Sequence, residues 1–192
     1  MRIIAGLAKG MPLITPRTGV RPTADRIRGA IFSSVGNRVV HARVLDLFAG
    51  TGGIGLEAAS RGATSVTFVE NFPDALKCLE RNVAEFVRRN RGGDVVPAMV
   101  SIERDDVSLV LERLATTQEE FALIFADPPY GDAAQELLRN KHLPQLVADD
   151  ALLVVESAKR TALSVGETWQ LMREATYGDT RASFLRKRSR QL

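Results

Sequence analysis

A short apolar run, Val44 to Phe48, passes directly into Gly50-Thr51-Gly52-Gly53-Ile54-Gly55, and the next apolar run ends on Glu70. A strand that feeds a glycine-rich turn opening a helix, with an acid closing the following strand, is the beginning of a βαβ unit and a nucleoside site. The pattern continues. Short apolar runs over Val44 to Phe48, Ser65 to Val69, Val95 to Val100, Phe121 to Ala126 and Ala151 to Val155 alternate with helical spacing, which predicts a mostly parallel sheet. Leu76, Leu79, Val83, Phe86 and Val87 mark a crossover helix, and Pro73 suits its first turn. After the fifth strand, Thr168 to Thr176 and Arg181 to Lys187 read as a β-hairpin around Tyr177-Gly178-Asp179-Thr180.

Glycines in the turn let a ligand approach the backbone, and Glu70 can accept hydrogen bonds from ribose hydroxyls. Gly50, Thr51, Gly52, Glu70 and the adjoining Asn71 are therefore candidate nucleoside contacts. The spacing alone leaves a nicotinamide cofactor and a purely structural turn open. Asp46, inside the strand before the glycines, favours a third choice, because a carboxylate repels a pyrophosphate and attracts a ligand carrying a sulfonium and an ammonium. That ligand is S-adenosylmethionine. Asp105 and Asp106, after the third strand, can face the same crevice and accept from an adenine amino group, although an adjacent acidic pair is more often simply solvated.

Asp127-Pro128-Pro129-Tyr130 ends the fourth strand, at the edge where open α/β sheets bind ligands. Two prolines stiffen the loop and remove two N–H donors, leaving acceptors and one aromatic ring. An exocyclic amine that donates to the Asp127 carboxylate and the Pro128 carbonyl has its lone pair freed from the ring and aimed at a methyl donor. Tyr130 can stack on a base taken out of its helix. The bland alternative is a strand terminator and a turn. Carbon methylation is disfavoured, since the single cysteine, Cys78, falls mid-helix beside Leu79 and reads as a small buried hydrophobe.

The net charge of +3 conceals a segregation. Residues 1 to 43 carry eight basic groups and one acid, residues 44 to 180 carry 13 and 22, and residues 181 to 192 carry five and none. Basic ends around an acidic middle suit a polyanion held by the ends. In the first part, Arg2 to Gly6 and Met11 to Ile14 read as extended pieces around a Lys9-Gly10 turn. Thr23 then caps a helix with an apolar stripe of Ile27, Ala30, Ile31 and Val35, and Arg26 and Arg28 are expected off that stripe. One cysteine and the distant pair His41 and His142 give neither a disulfide framework nor zinc spacing, so no metal is expected. Neither a signal peptide nor a membrane span is expected, which suits a cytoplasmic protein.

Taken together, these segments resemble the RsmD-type family of bacterial 16S ribosomal RNA (guanine-N2)-methyltransferases. The resemblance rests on Arg2-Ile3-Ile4-Ala5-Gly6 with Lys9-Gly10, Arg21-Pro22-Thr23 with Asp25-Arg26-Ile27-Arg28, Val44 to Ala58, Ser60-Arg61-Gly62, Phe68-Val69-Glu70 and Asp127 to Tyr130. The Arg-Pro-Thr helix is the most specific piece, since Asp-Pro-Pro-Tyr is shared with adenine and cytosine methyltransferases. The resemblance implies a Rossmann-like class I methyltransferase fold, a mostly parallel seven-stranded sheet with a reversed last strand. It also implies S-adenosylmethionine as cofactor and N2 of one guanine as target, in ribosomal RNA within an assembling small subunit. Residues 1–40 are then a basic RNA-recognition extension and 41–192 the catalytic domain, acting as a monomer. Arg2, Lys9, Arg17, Arg21, Thr23, Arg26 and Arg28 are the expected RNA contacts, with adenine-N6 methylation and nicotinamide-dependent oxidoreduction as the competing activities. Gly29 and Ser33 stand where the family commonly has Glu and Asn. A glycine there costs about 1 kcal/mol, so this helix is expected to order fully with RNA.

Overall fold

The strands arise where β-branched and aromatic residues cluster, and the way they pair sets the position of every functional side chain. The computed structural model describes residues 1–16, 25–90, 98–129 and 131–188. Among these residues seven strands form one sheet: β1 (Arg43–Leu47), β2 (Ser65–Val69), β3 (Met99–Glu103), β4 (Phe121–Ala126), β5 (Val147–Ala158), β6 (Trp169–Tyr177) and β7 (Thr180–Lys187). Their order is β3-β2-β1-β4-β5-β7-β6. β1 to β5 run parallel, and β7 is antiparallel to both β5 and β6. The expected reversed last strand is therefore present.

Among the described residues five α-helices connect and flank the sheet: α1 (Asp25–Val35), α2 (Gly53–Ser60), α3 (Pro73–Arg89), α4 (Val107–Ala115) and α5 (Ala133–Arg139). Side chains alternate between the two faces of each strand. Val44, Phe68, Leu123, Phe125 and Val154 join one core with Ile31, Phe32, Leu56, Leu79 and Phe86. Leu45, Leu47, Ile124, Leu153 and Val155 join the other with Val110, Leu111, Leu137 and Trp169. The Trp169 indole is wholly buried, and its Nε1 donates to the Leu138 carbonyl at 3.0 Å.

Five strands differ in their bounds from those expected, β6 (Trp169–Tyr177) by a single residue at each end and β7 (Thr180–Lys187) by a single residue at its start. β3 is Met99–Glu103 rather than Val95 to Val100, and residues 91–97 lie outside the described residues. β1 stops at Leu47 because Phe48 turns into the left-handed region at φ 57°. β5 runs from Val147 to Ala158, through the polar Asp149-Asp150 pair. Asp150 has φ 60°, and the β4–β5 register shifts between Phe121 and Leu123, so the pairing resumes past an irregularity that resembles a loop in sequence.

The amino-terminal pieces pair as expected: Ile3 N–H donates to Met11 O at 2.9 Å, and Leu13 N–H donates to Met1 O at 3.0 Å. Ile3, Met11 and Leu13 are buried in the same core as Leu56 and Phe68. At Gly6 the chain passes so close to α2 that a Cβ would lie 1.8 Å from the Ser60 carbonyl oxygen. Only glycine fits there. α1 runs through Gly29 from Asp25 to Val35, and the Thr23 cap expected before it lies outside the described residues.

Candidate active site

Strand order reverses at β1, whose neighbours β2 and β4 lead to opposite sides, and such a switch point opens a crevice at the carboxyl edge. Register fixes what lines it. Leu47 is paired with Val69 and Ala126, and Ala126 with Val155, so the residues that follow, Phe48, Glu70, Asp127 and Glu156, form one row. Asp46 lies two residues below Phe48, level with Phe68 and Phe125. The left-handed backbone of Phe48 costs on the order of 1–3 kcal/mol, and such strain gathers at functional edges.

The glycine turn closes over this edge. Gly50 and Gly52 have φ of 57° and 81°, and Gly52 begins α2 without a side-chain cap. A Cβ on Gly52 would lie 2.5 Å from Leu79 Cδ1, and one on Gly55 would lie 2.2 Å from Phe68 Cε1. The glycines thus permit both the turn and the seating of α2 on the sheet. Asp46 Oδ2 accepts from the Gly55 amide at 2.8 Å, and the side chain is buried. Burial pushes its pKa from 3.8 to about 7; the Gly55 amide opposes the rise, and the charges of Asp127 and Glu70 add to it.

Glu70 is a hub. Its Oε2 accepts from Gly50 N–H at 2.7 Å, and its Oε1 accepts from Asn71 and Phe72 N–H at 2.9 and 2.7 Å. The carboxylate so ties the end of β2 to the turn, with acceptor capacity left for a hydroxyl. Thr51 is buried and its carbonyl accepts from Asn82 Nδ2 at 2.9 Å, while Asn71 is exposed. A buried acid held near neutrality, with more acids beside it, fits a cationic ligand and opposes an anionic one. This donor and acceptor set fits S-adenosylmethionine.

Asp127 is exposed in the crevice, Pro128 is buried and Pro129 is exposed. Asp127 N–H donates to Leu47 O at 3.4 Å, which joins the proline corner to the end of β1. Tyr130 lies outside the described residues. Glu156, which sequence reasoning did not single out, is 5% exposed and lines a small cleft with Pro128, Pro129 and Ser157. Burial, and then the charges of Asp127 and Asp46, hold its pKa well above the ordinary carboxylate range. Further along the edge, Asp106 caps α4 by accepting from Ser108 N–H at 2.8 Å, and Asp105 accepts from Asp106 N–H at 2.9 Å. Both carboxylates therefore have local structural work, with Asp105 the more buried of the two.

Among the expected RNA contacts, Arg2, Lys9 and Arg26 are exposed, and Arg17, Arg21 and Thr23 lie outside the described residues. Arg28 requires a correction: it is wholly buried. Its Nη2 donates to the Arg2 carbonyl and to Asp25 Oδ1, and its Nε lies 3.6 Å from Glu57 Oε2. The apolar stripe of α1 runs through Ile31, Phe32 and Val35, and Arg28, one turn before Phe32, turns inward with it. A buried acid on α2 is what admits the cation. Glu57 also accepts from Ile4 and Ala5 N–H at 2.7 and 3.1 Å. Asn82 of α3 exchanges hydrogen bonds with Ile14, accepting at 2.8 Å and donating at 2.9 Å. The amino-terminal segment is thereby fastened to the two helices that hold the glycine turn. Glu57 and Asn82 were visible only as polar residues within apolar helical spacing. Cys78 is half-buried, more open than expected.

Among the described residues no group of His, Cys, Asp and Glu is arranged to hold a metal ion, and no helix is long and apolar enough to cross a membrane.

Residues 1–186 match the family described as conserved hypothetical protein 95. The chain is 32% identical over 192 residues to a putative rRNA methyltransferase, YlbH, of Bacillus subtilis, covering 98% of this chain and 100% of that protein. It is 32% identical over 184 residues to ribosomal RNA small subunit methyltransferase D of Haemophilus influenzae, covering 93% and 89% respectively. Among solved structures, a putative methyltransferase yhhF from Escherichia coli superposes with a TM-score of 0.74 at 28% identity, covering 97% of each chain.

Proposed function

Because the chain belongs to the family described as conserved hypothetical protein 95, the RsmD family, we propose that it methylates the exocyclic N2 of a guanine in small-subunit ribosomal RNA, using S-adenosylmethionine. The relatives named as a putative rRNA methyltransferase and as ribosomal RNA small subunit methyltransferase D support the substrate class. The observation that carries the reading is the row across the carboxyl edge. It sets Asp46, Glu70 and the glycine turn on one side of the switch point and the Asp127-Pro128-Pro129 corner directly beside them.

In this reading Glu70 takes the ribose hydroxyls, the glycine turn admits the nucleoside, and Asp46 faces the cationic amino-acid end of the cofactor. When bound, S-adenosylmethionine supplies a methyl group already activated by its sulfonium. Asp127 and the Pro128 carbonyl accept the two amine hydrogens, which holds the nitrogen lone pair out of conjugation. Tyr130 stacks on the base. The rate then comes mainly from positioning and from fixed charge around a displacement. Methyl transfer would exchange the donor's sulfur–carbon bond for the new nitrogen–carbon bond and release one amine proton, which the Asp127 carboxylate would receive.

Residues 1–40 act as the RNA-recognition extension and residues 41–192 as the catalytic domain, a monomer in the cytoplasm. Arg2, Lys9 and Arg26 supply the exposed basic groups of the extension. The test is methyl transfer from labelled cofactor to unmethylated small subunits. Asp127→Ala is expected to lower kcat at least a hundredfold with cofactor affinity within about threefold of the parent. Full activity in that variant would remove the amine-holding role.

A further inference from the structure

Glu156 is a buried acid with no function in the mechanism above. It is 5% exposed, and burial together with the neighbouring acids disfavours its ionised form. It is not a remote core residue. Ala126 pairs with Val155, so Asp127 and Glu156 follow side by side on neighbouring parallel strands, which lie about 4.8 Å apart. By alternation both side chains belong to the face of Phe125 and Val154, the face that also carries Asp46. The charges of Asp127 and Asp46 both reach Glu156, and Glu156 lines the cleft against Pro128 and Pro129. In the same cleft Ser157 Oγ is buried and has no hydrogen-bond partner among the described residues.

The edge of guanine that carries the target amine also carries the adjacent ring N1–H, two neighbouring donors. Adenine and cytosine place a ring-nitrogen acceptor beside their amine. Two ionised carboxylates on adjacent strand ends are two neighbouring acceptors, complementary to the first arrangement and repelled by the second. Resting on the guanine-N2 reading above, we propose that Glu156 accepts the ring N1–H of the target base beside the amine held by Asp127, and so selects guanine. Burial away from water makes this contact discriminating, since a substrate that lacks the donor leaves the acid unpaired. The same donation from N1–H favours the ionised carboxylate, offsetting the burial that otherwise disfavours it.

The experiment uses small-subunit particles reconstituted with either guanine or 2-aminopurine at the methylated position. 2-Aminopurine keeps the exocyclic amine and lacks the ring N1–H. The parent enzyme is expected to prefer guanine about a hundredfold or more in kcat/KM. Glu156→Ala lowers activity on guanine with little change on 2-aminopurine. Glu156→Gln, of the same shape and therefore the safer fold, can present either an acceptor or a donor, so it brings the preference to within about tenfold. A structural role alone would depress both substrates together. Folded Glu156→Gln enzyme that retains the parent's preference overturns the proposal while leaving guanine methylation intact. Parent enzyme that places its methyl group on another base overturns the guanine-N2 reading, and this one with it.

Discussion

Arg28 and Glu57 form an ion pair in which both side chains are wholly buried, with Nε and Oε2 3.6 Å apart. Glu57 also holds the amides of Ile4 and Ala5 and the Nε of Arg61, so a single carboxylate joins α1, the amino-terminal ladder and α2. The pair matters less for net stability than for where it fixes the extension. Desolvating two charges cancels much of their attraction, but removing one partner strands the other in the core. Glu57→Gln is therefore expected to cost about 3 kcal/mol, a fall in Tm of roughly 6–12 °C for a chain of this size. Thermal denaturation reads the loss, and limited proteolysis should reach residues 1–16 first. A Tm within about 2 °C of the parent would show that the pair does not hold the extension.

Asp46 gives a pH dependence of defined sign. Its folded pKa is about 7 against an ordinary 3.8, so the fold prefers the protonated acid. Stability contributed by this group is fully present below about pH 4 and lost as pH rises through 7. The total is on the order of 4 kcal/mol at about 1.4 kcal/mol per pH unit. Asp46→Asn keeps an acceptor for the Gly55 amide and removes the charge. The variant should match the parent in Tm near pH 4 and exceed it progressively from pH 5 to 8. A cationic cofactor prefers the ionised acid, so parent affinity should rise between pH 6 and 8, and the variant should lose about tenfold at pH 8. Calorimetric titration that gives the two proteins one pH slope would contradict the assignment.

The exposed cations make a different prediction from the buried one. Arg26→Ala should weaken RNA binding evenly across sequences and reduce the slope of log affinity against log salt by about one, with cofactor affinity unchanged. The salt titration decides it: an unchanged slope means that Arg26 does not meet a phosphate.

The sheet and the cofactor edge were legible because their signals are local. A strand, a glycine turn and an acid at the next strand end are consecutive in sequence, and parallel pairing must then bring Asp46, Gly50 and Glu70 together. β5 was read short because Asp149-Asp150 interrupts its apolar run, although the strand resumes through an irregularity. Arg28 was misplaced for a physical reason: an arginine is assigned to the surface unless a buried acid admits it, and that acid is on another helix. Glu156 was overlooked on the same ground. Its significance comes from the β4–β5 register that sets it beside Asp127, and register across a crossover is not written in either strand alone. Arg17, Arg21, Thr23 and Tyr130 lie outside the described residues, so their expected roles stand as proposals.

The central claim is that an amine on guanine meets the methyl donor at the Asp127-Pro128-Pro129 corner. Nucleoside mass spectrometry of ribosomal RNA, after unmethylated small subunits are incubated with the enzyme and isotopically labelled S-adenosylmethionine, tests it most directly. The account predicts one labelled N2-methylguanosine and no other labelled nucleoside. Label on the N6 of adenosine, or on a ring carbon, would contradict it.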